Sequence, residues 1–292
     1  MKGLILLYKP KGITSFEALG LIKQKLNIGR VGHAGTLDRF AEGLLLVLVG
    51  EYTRLINLFQ NEEKEYEALI EFGYTTTTLD PEGEITGTGP LPEAEDLKAV
   101  LPCFCGELDQ IPPIYSAIQI NGRRSSELAR QGLEPILKSR RIKISLLELV
   151  DYQPPYAKLH IVCSKGTYIR ALARDLALAL HTQAFVKELK RTRIGSFSLK
   201  QAVAALDFKA DRDLWPAKAF LPLLTGCNLL TVKAEYQRLL NLGQRIKDHY
   251  FTSAPKLGLN AILDLKGELL AMIKCEGEES SYLAVFNNKG HL

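Results

Sequence analysis

Gly32-His33-Ala34-Gly35-Thr36-Leu37-Asp38 places one carboxylate at the end of a flexible, polar turn. An acid presented that way is a candidate nucleophile. Most Gly-Asp turns between apolar runs are only loops, since Gly supplies backbone freedom and Asp makes local turn hydrogen bonds. The surrounding chain has to decide between the two readings.

Upstream of the turn, Leu4 to Leu7 is a buried strand candidate, and its short apolar run lacks the cleavage pattern of a leader peptide. Lys9-Pro10-Lys11-Gly12 then delivers two cations beside a helix start, where Thr14 and Glu17 fit a capping box. Phe16, Leu19, Ile22 and Leu26 recur at helical spacing until Gly29, which predicts an amphipathic helix packed on a sheet through those residues. Downstream, the Leu-Leu-Leu-Val-Leu-Val run between Gly43 and Gly50 is too continuous for a surface strand, so it is expected at the centre of the sheet, behind the acid.

Further along, a helix is expected around Thr53 to Phe59, an alternating strand from Tyr66 to Phe72, a polar connection from Thr75 to Gly83 and a helix from Glu93 to Leu101. Gln110-Ile111-Pro112-Pro113 is a stiff segment leading into an expected strand over Tyr115 to Ile118. Arg141 to Tyr152 and Ala157 to Ser164 look like an antiparallel pair, and Thr167 to Leu180 is the best helix. Neighbouring strands in pairs, with irregularly interspersed helices, predict an α+β domain built on a mixed, mainly antiparallel sheet. After Pro216 and Pro222, short strand-like runs (Ala261 to Asp264, Leu269 to Ile273, Tyr282 to Phe286) predict a small β-rich terminal domain. The expected boundaries are 1–225 and 229–292.

Composition narrows the chemistry. The chain has 292 residues, 46% of them hydrophobic and 24% charged, with a formal net charge of +4; that balance permits a polyanionic partner without requiring one. Cations gather in three places: Lys187, Lys190, Arg191 and Arg193; Lys138, Arg140 and Arg141; and Arg123, Arg124 and Arg130. Five irregularly spaced cysteines argue against a disulfide framework, and no two pairs sit at zinc-ligand spacing. No metal, no membrane span and a cytoplasmic location are expected. Phosphate-binding and dinucleotide glycine patterns, His-Glu-x-x-His and the deaminase zinc signature are all missing, so no nucleotide cofactor is expected.

An acid (Asp38), a cation (Arg170) and two aromatics (Tyr66 and Tyr168) remain. An Arg at the start of a helix runs against the helix dipole, so another group is expected to want it there. Paired with Asp38, it would hold that carboxylate charged and oriented; the plain alternative is an ordinary surface Arg.

Taken in order, Lys9-Pro10-x-Gly12-x-Thr14-Ser15, Gly32-His33-x-Gly35-Thr36-Leu37-Asp38, Lys64-x-Tyr66, Pro112-Pro113-x-Tyr115-Ser116-Ala117, Cys163-Ser164-x-Gly166-Thr167-Tyr168-Ile169-Arg170 and Leu189-Lys190-Arg191 resemble the motifs of the TruB-type tRNA pseudouridine synthases. The resemblance spans residues 1 to about 200, and the tail is similar to a small PUA-type RNA-binding domain only in length and β character. It implies a stand-alone, monomeric bacterial enzyme with no obligate protein partner and no cofactor. Such an enzyme detaches the uridine at position 55 in the T-arm loop of tRNA, turns it and rejoins it to the sugar through carbon. Asp38 would be the essential carboxylate, acting on the sugar or on the uracil, as nucleophile or as the base that removes a sugar proton. The implied substrate-binding set is His33, Tyr66, Tyr168, Arg170, Leu189 and Lys9, with Tyr66 stacking on uracil and His33 filling the space left in the loop. Arg123, Arg124, Lys187, Lys190 and Arg191 would contact phosphates.

Four positions depart from the family pattern. Arg39 follows Asp38 where Pro is usual; Thr77 replaces an acid that would balance Arg170; Ser126 replaces an aromatic; and Leu137 replaces a basic residue. With Thr77 neutral, Arg170 is expected to be committed to Asp38 alone. Arg39 and Thr77 also motivate a rival from another class: a tRNA-binding chaperone with weak or no isomerase activity. A generic enzyme acting on a small nucleoside is a third reading.

Overall fold

Leu44 to Val49 lie in the Glu42–Val49 strand and are shut off from solvent on both of its sides. Side chains alternate across a strand. Leu45, Val47 and Val49 therefore meet Ala18, Leu19 and Ile22 of the Ser15–Leu26 helix, while Leu44, Leu46 and Leu48 meet Tyr52, Phe59 and Phe220. Each fully buried side chain of this size contributes roughly 1.5–3 kcal/mol, so this strand anchors the domain. The computed structural model describes residues 1–277 and 279–286.

The strand belongs to a ten-stranded sheet. Along the main path the order is Val203–Ala204, Gly3–Lys9, Glu42–Val49, Ala184–Ile194, Lys64–Phe72, Tyr156–Cys163, Arg140–Gln153 and Gly106–Gln110. Gly3–Lys9 with Val203–Ala204, and Ala184–Ile194 with Glu42–Val49, pair in parallel; the remaining pairings are antiparallel. The fold is thus α+β with a mixed, mainly antiparallel sheet, as expected. At the parallel junction Gly43 sits opposite Arg191 at φ +119°, and a Cβ there would fall 2.3 Å from the Arg191 carbonyl oxygen. Only glycine lets the two strands approach this closely.

Several elements differ from expectation. The buried stripe of the first helix is Ser15, Ala18, Leu19 and Ile22, so Phe16 falls on the solvent side, 74% exposed, beside the Lys23 ammonium. Thr53 to Phe59 is split between a 3-10 turn (Gly50–Leu55) and a short α-helix (Ile56–Gln60). Tyr115 to Ile118 is not a strand. Two prolines ahead of it lack N–H donors, and its polar backbone is used elsewhere: the Tyr115 carbonyl accepts from Arg170 and the Ser116 carbonyl from Ser126 N–H. The polar connection from Thr75 to Gly83 is partly ordered, because Tyr74–Thr76 pairs with Ile85–Thr88.

A second sheet runs Cys227–Thr231, Gly258–Leu263, Leu269–Glu276, Glu279–Val285. Its first strand crosses the boundary expected at 229, and residues 287–292 of the expected terminal domain lie outside the described residues. Ala261, Leu263, Met272 and Phe286 join the same core as Leu4, Leu46 and Tyr52, so the two sheets share apolar packing. Among the described residues, no helix is long and apolar enough to cross a membrane.

Candidate active site

The loop carrying Asp38 is fixed by residues from the turn that precedes the first helix. Thr14 caps that helix and forms the expected capping box with Glu17. Ser15, next in sequence, turns its hydroxyl the other way: it donates to the Leu37 carbonyl at 3.0 Å and accepts from the Leu37 N–H at 2.9 Å. The Gly12 N–H donates to the Arg39 carbonyl at 2.9 Å, and Arg39 Nε donates to the Gly12 carbonyl at 2.9 Å. Arg191 supports the same loop from the sheet, donating to the carbonyls of Leu44, Gly35 and Thr36 at 2.8, 3.1 and 3.4 Å.

Held in this way, Asp38 faces a cavity of about 620 Å³. Tyr66, Leu189, Tyr168 and Ile169 give it an apolar and aromatic lining, and Lys64, Arg140, Arg141, Lys165, Arg170 and Arg191 surround it with cations. Among the described residues lining it, Asp38 is the one carboxylate. A cavity of this size suits a small molecule or a single nucleotide turned out of its stack.

Arg170 organises the far wall. Its Nε lies 2.9 Å from Asp38 Oδ2. The N–H does not point along that line, so the contact is an ion pair and not an aligned hydrogen bond. Nη1 lies 3.2 Å from Asp80 Oδ2 and donates to the Thr78 carbonyl at 2.8 Å, while Nη2 donates to the Tyr115 carbonyl at 2.9 Å. One buried guanidinium thus gathers the Asp38 loop, the Thr76–Glu82 turn and the segment after Pro113. The exclusive Arg170–Asp38 pair expected from Thr77 is therefore corrected: Asp80, three residues further on, supplies the second acid. Burial pushes the Asp80 carboxyl up from its ordinary value, with the Thr78 hydroxyl and the Arg170 cation pulling it back.

Both cavity tyrosines are kept in the neutral phenol form. Burial raises the Tyr66 phenol, with Arg191 opposing, and burial raises Tyr168 as well, with Arg140 opposing. Gln110 clamps the Tyr168 backbone from both sides, accepting from its N–H at 2.8 Å and donating to its carbonyl at 3.2 Å. Lys64 is held down to about 8 by burial and then by the Arg191 charge.

Asp38, Tyr66, Tyr168, Arg170 and Leu189 are therefore brought together, and other expected site residues are not. Lys9 is fully buried, with Nζ donating to the carbonyls of Ala41, Ile13 and Pro10 at 2.6, 2.8 and 3.0 Å, so it braces the loop and does not reach the cavity. Arg191 reaches the cavity but is 1% exposed, and its guanidinium is spent on carbonyls of the Asp38 loop and of Leu44. Lys190 pairs across from Glu67, on the face of the sheet opposite the Tyr66–Arg191 pair, and Lys187 is bound to Glu71 at 3.0 Å after a bulge at that position. Neither stands at the cavity mouth. Arg123 and Arg124 are exposed on a two-residue strand away from the lining, near Gln131 and Glu127. His33 precedes the loop on a short strand, its Nδ1 buried without a hydrogen-bond partner among the described residues; burial, then the Arg191 charge, lowers its pKa.

Ser15, Gln110 and Asp80 escaped sequence reasoning because each acts on a residue at least 22 positions away (Arg170 in the case of Asp80), which periodicity does not encode. Arg140 and Arg141 were visible as a basic cluster but not as cavity residues. Among the described residues, no group of His, Cys, Asp and Glu is arranged to hold a metal ion.

Residues 23–169 match the profile of the TruB family pseudouridylate synthase, N-terminal domain. The tRNA pseudouridine synthase B of Borreliella afzelii (strain PKo) is 45% identical over 203 residues, covering 68% of this chain and 72% of that protein. Its counterpart in Caulobacter vibrioides is 44% identical over 207 residues, covering 70% and 66%. Among solved structures, a Cbf5-Nop10-Gar1 complex contains a chain that superposes with a TM-score of 0.71 at 25% identity, covering 98% of this chain and 84% of that one. An H/ACA ribonucleoprotein chain, solved with a substrate RNA containing 2′-deoxyuridine, gives the same TM-score at 23% identity and supports the fold alone. By sequence match and by fold, the chain belongs to the TruB family of pseudouridylate synthases.

Proposed function

We propose that this protein converts the T-loop uridine of tRNA, position 55, to pseudouridine, with Asp38 as the catalytic carboxylate. The observation that carries the reading is the cavity itself: a single carboxylate beside Tyr66 and Leu189, surrounded by cations. A base must leave its stack to enter, which costs a few kcal/mol, and an aromatic platform returns about 1–3 kcal/mol. Tyr66 is that platform, and Arg140, Arg141 and Lys165 meet the backbone phosphates. The substrate is tRNA, as the names of the similar bacterial synthases have it.

The reaction breaks the N1–C1′ bond, turns the uracil and forms a C5–C1′ bond. The C5 hydrogen leaves as a proton and N1 gains one, so no redox partner or energy source enters. Asp38 acts on the ribose, as nucleophile at C1′ or as base toward the C2′ proton. The neutral Tyr66 phenol lies beside the base. The chaperone reading loses its motive, because Asp80 stands in for the acid missing at Thr77, and Arg39 is bonded to Gly12. Mapping pseudouridine in an unmodified tRNA transcript after incubation with the protein tests the proposal. Modification confined to the T-loop is expected; modification elsewhere, or tRNA binding without product, would overturn it.

A further inference from the structure

Asp38 is flanked by two reciprocal clips, both built from the turn over residues 12–15. On its N-terminal side Leu37 is held through amide and carbonyl by Ser15, which is 2% exposed. On its C-terminal side Arg39 is held through carbonyl and Nε by Gly12, whose left-handed backbone (φ +87°) turns both its polar groups into the clip. The Ser15 clip is dry, whereas the Arg39 clip is open to solvent. The Arg170 Nε contact with the Asp38 carboxylate is misaligned, so the direction of that carboxylate depends on the backbone at both flanks.

We propose that Arg39 is a positioning residue for Asp38, fixing the C-terminal flank of the acid through its two-point clip on Gly12. The inference rests on the reading of Asp38 as the catalytic group. The alternative use of an exposed Arg in an RNA-modifying enzyme is a phosphate contact. The geometry opposes it: the Arg39 Nε–H is committed to the Gly12 carbonyl, and the Arg39 carbonyl to the Gly12 N–H. In the family pattern Pro stiffens this position covalently; here a side-chain bond holds it from outside the loop.

Two variants separate the roles. Arg39→Ala removes the Nε donor, whereas Arg39→Gln keeps an N–H donor at the same number of bonds from Cα and discards the charge. Steady-state kinetics on a tRNA transcript should show kcat for Arg39→Ala lowered about 10- to 100-fold, the range for a slightly misplaced catalytic group. KM should stay within about twofold and Arg39→Gln within about threefold of wild type in kcat, on the same grounds. Amide exchange of RNA-free protein should be faster over residues 10–13 and 37–41 in Arg39→Ala but not in Arg39→Gln. Equal losses in both variants, a loss confined to KM with a shallower salt dependence, or unchanged kcat and exchange in Arg39→Ala would each overturn the proposal. Should wild type make no pseudouridine in tRNA, the functional reading fails, and the exchange comparison alone still decides whether Arg39 holds the flank.

Discussion

The Ser15 hydroxyl both donates a hydrogen bond to the Leu37 carbonyl and accepts one from the Leu37 N–H, inside a contact almost closed to water. Removing it leaves two buried backbone groups without partners, each costing about 1–3 kcal/mol if water cannot reach it. Ser15→Ala should therefore lower the unfolding free energy by roughly 2 kcal/mol in urea titrations and slow turnover; an unchanged urea midpoint would show that Leu37 is held by something else. At this scale the sequence was legible for single groups and not for their partners. The placement of Arg170 against the helix dipole did flag a carboxylate partner, and Asp38 lies 2.9 Å away. Asp80 was hidden in a threonine-rich stretch, because only the hairpin formed by Tyr74–Thr76 and Ile85–Thr88 turns it toward Arg170. Lys9 was expected at the substrate only through the family resemblance, and in the structure its buried ammonium donates to three carbonyls.

Strands were legible wherever hydrophobicity was continuous or alternating, as in Glu42–Val49 and Lys64–Phe72. The misjudged elements are those whose phase or backbone pairing is set by tertiary contacts. Phe16 was read as the start of the buried stripe, although a polar Ser15 occupies that phase because it serves the Asp38 loop. Tyr115 to Ile118 has strand-like residues, but its carbonyls serve Arg170 and the Ser125–Arg130 helix instead of a neighbouring strand. Strand ends also carry a pH signature. Lys9 and Lys64 terminate the Gly3–Lys9 and Lys64–Phe72 strands, and burial, the leading cause in each, holds both at about 8 against an ordinary 10.5. A depressed folded value contributes stability that is full above the unfolded value and lost as pH falls through the folded one. Unfolding free energy should therefore rise between pH 8 and 10, by about 1 kcal/mol per pH unit for each lysine. Raised tyrosines act with the opposite sign but only above pH 10. In Lys64→Met the slope should shrink; an identical slope would contradict the assignment.

At the scale of the whole molecule, the small terminal sheet was legible from its short strand runs, but its junction was not. Tyr52 packs edge-on against both Phe220 and Phe286, with ring centroids 5.7 Å apart in each case. This joins the last described strand to the main sheet in one core. The wild type should unfold in a single calorimetric transition, and Phe286→Ala should cost about 3–5 kcal/mol and split that transition into two. A wild type that already unfolds in two steps would show the sheets to be independent. In the same architecture the Asp38 loop is held from the Gly12–Ser15 turn, from Arg191 in the sheet and from Arg170 in the Ile169–Ala179 helix.

The central claim is that Asp38, so held, acts on the glycosidic bond of a tRNA uridine. It is tested most directly by tritium release from tRNA labelled at uracil C5, comparing wild type with Asp38→Asn, which keeps the shape of the side chain and removes its charge. The account predicts release by the wild type, to one equivalent per tRNA, and none above background for Asp38→Asn despite retained tRNA binding. Release by Asp38→Asn at a rate near that of the wild type would contradict it.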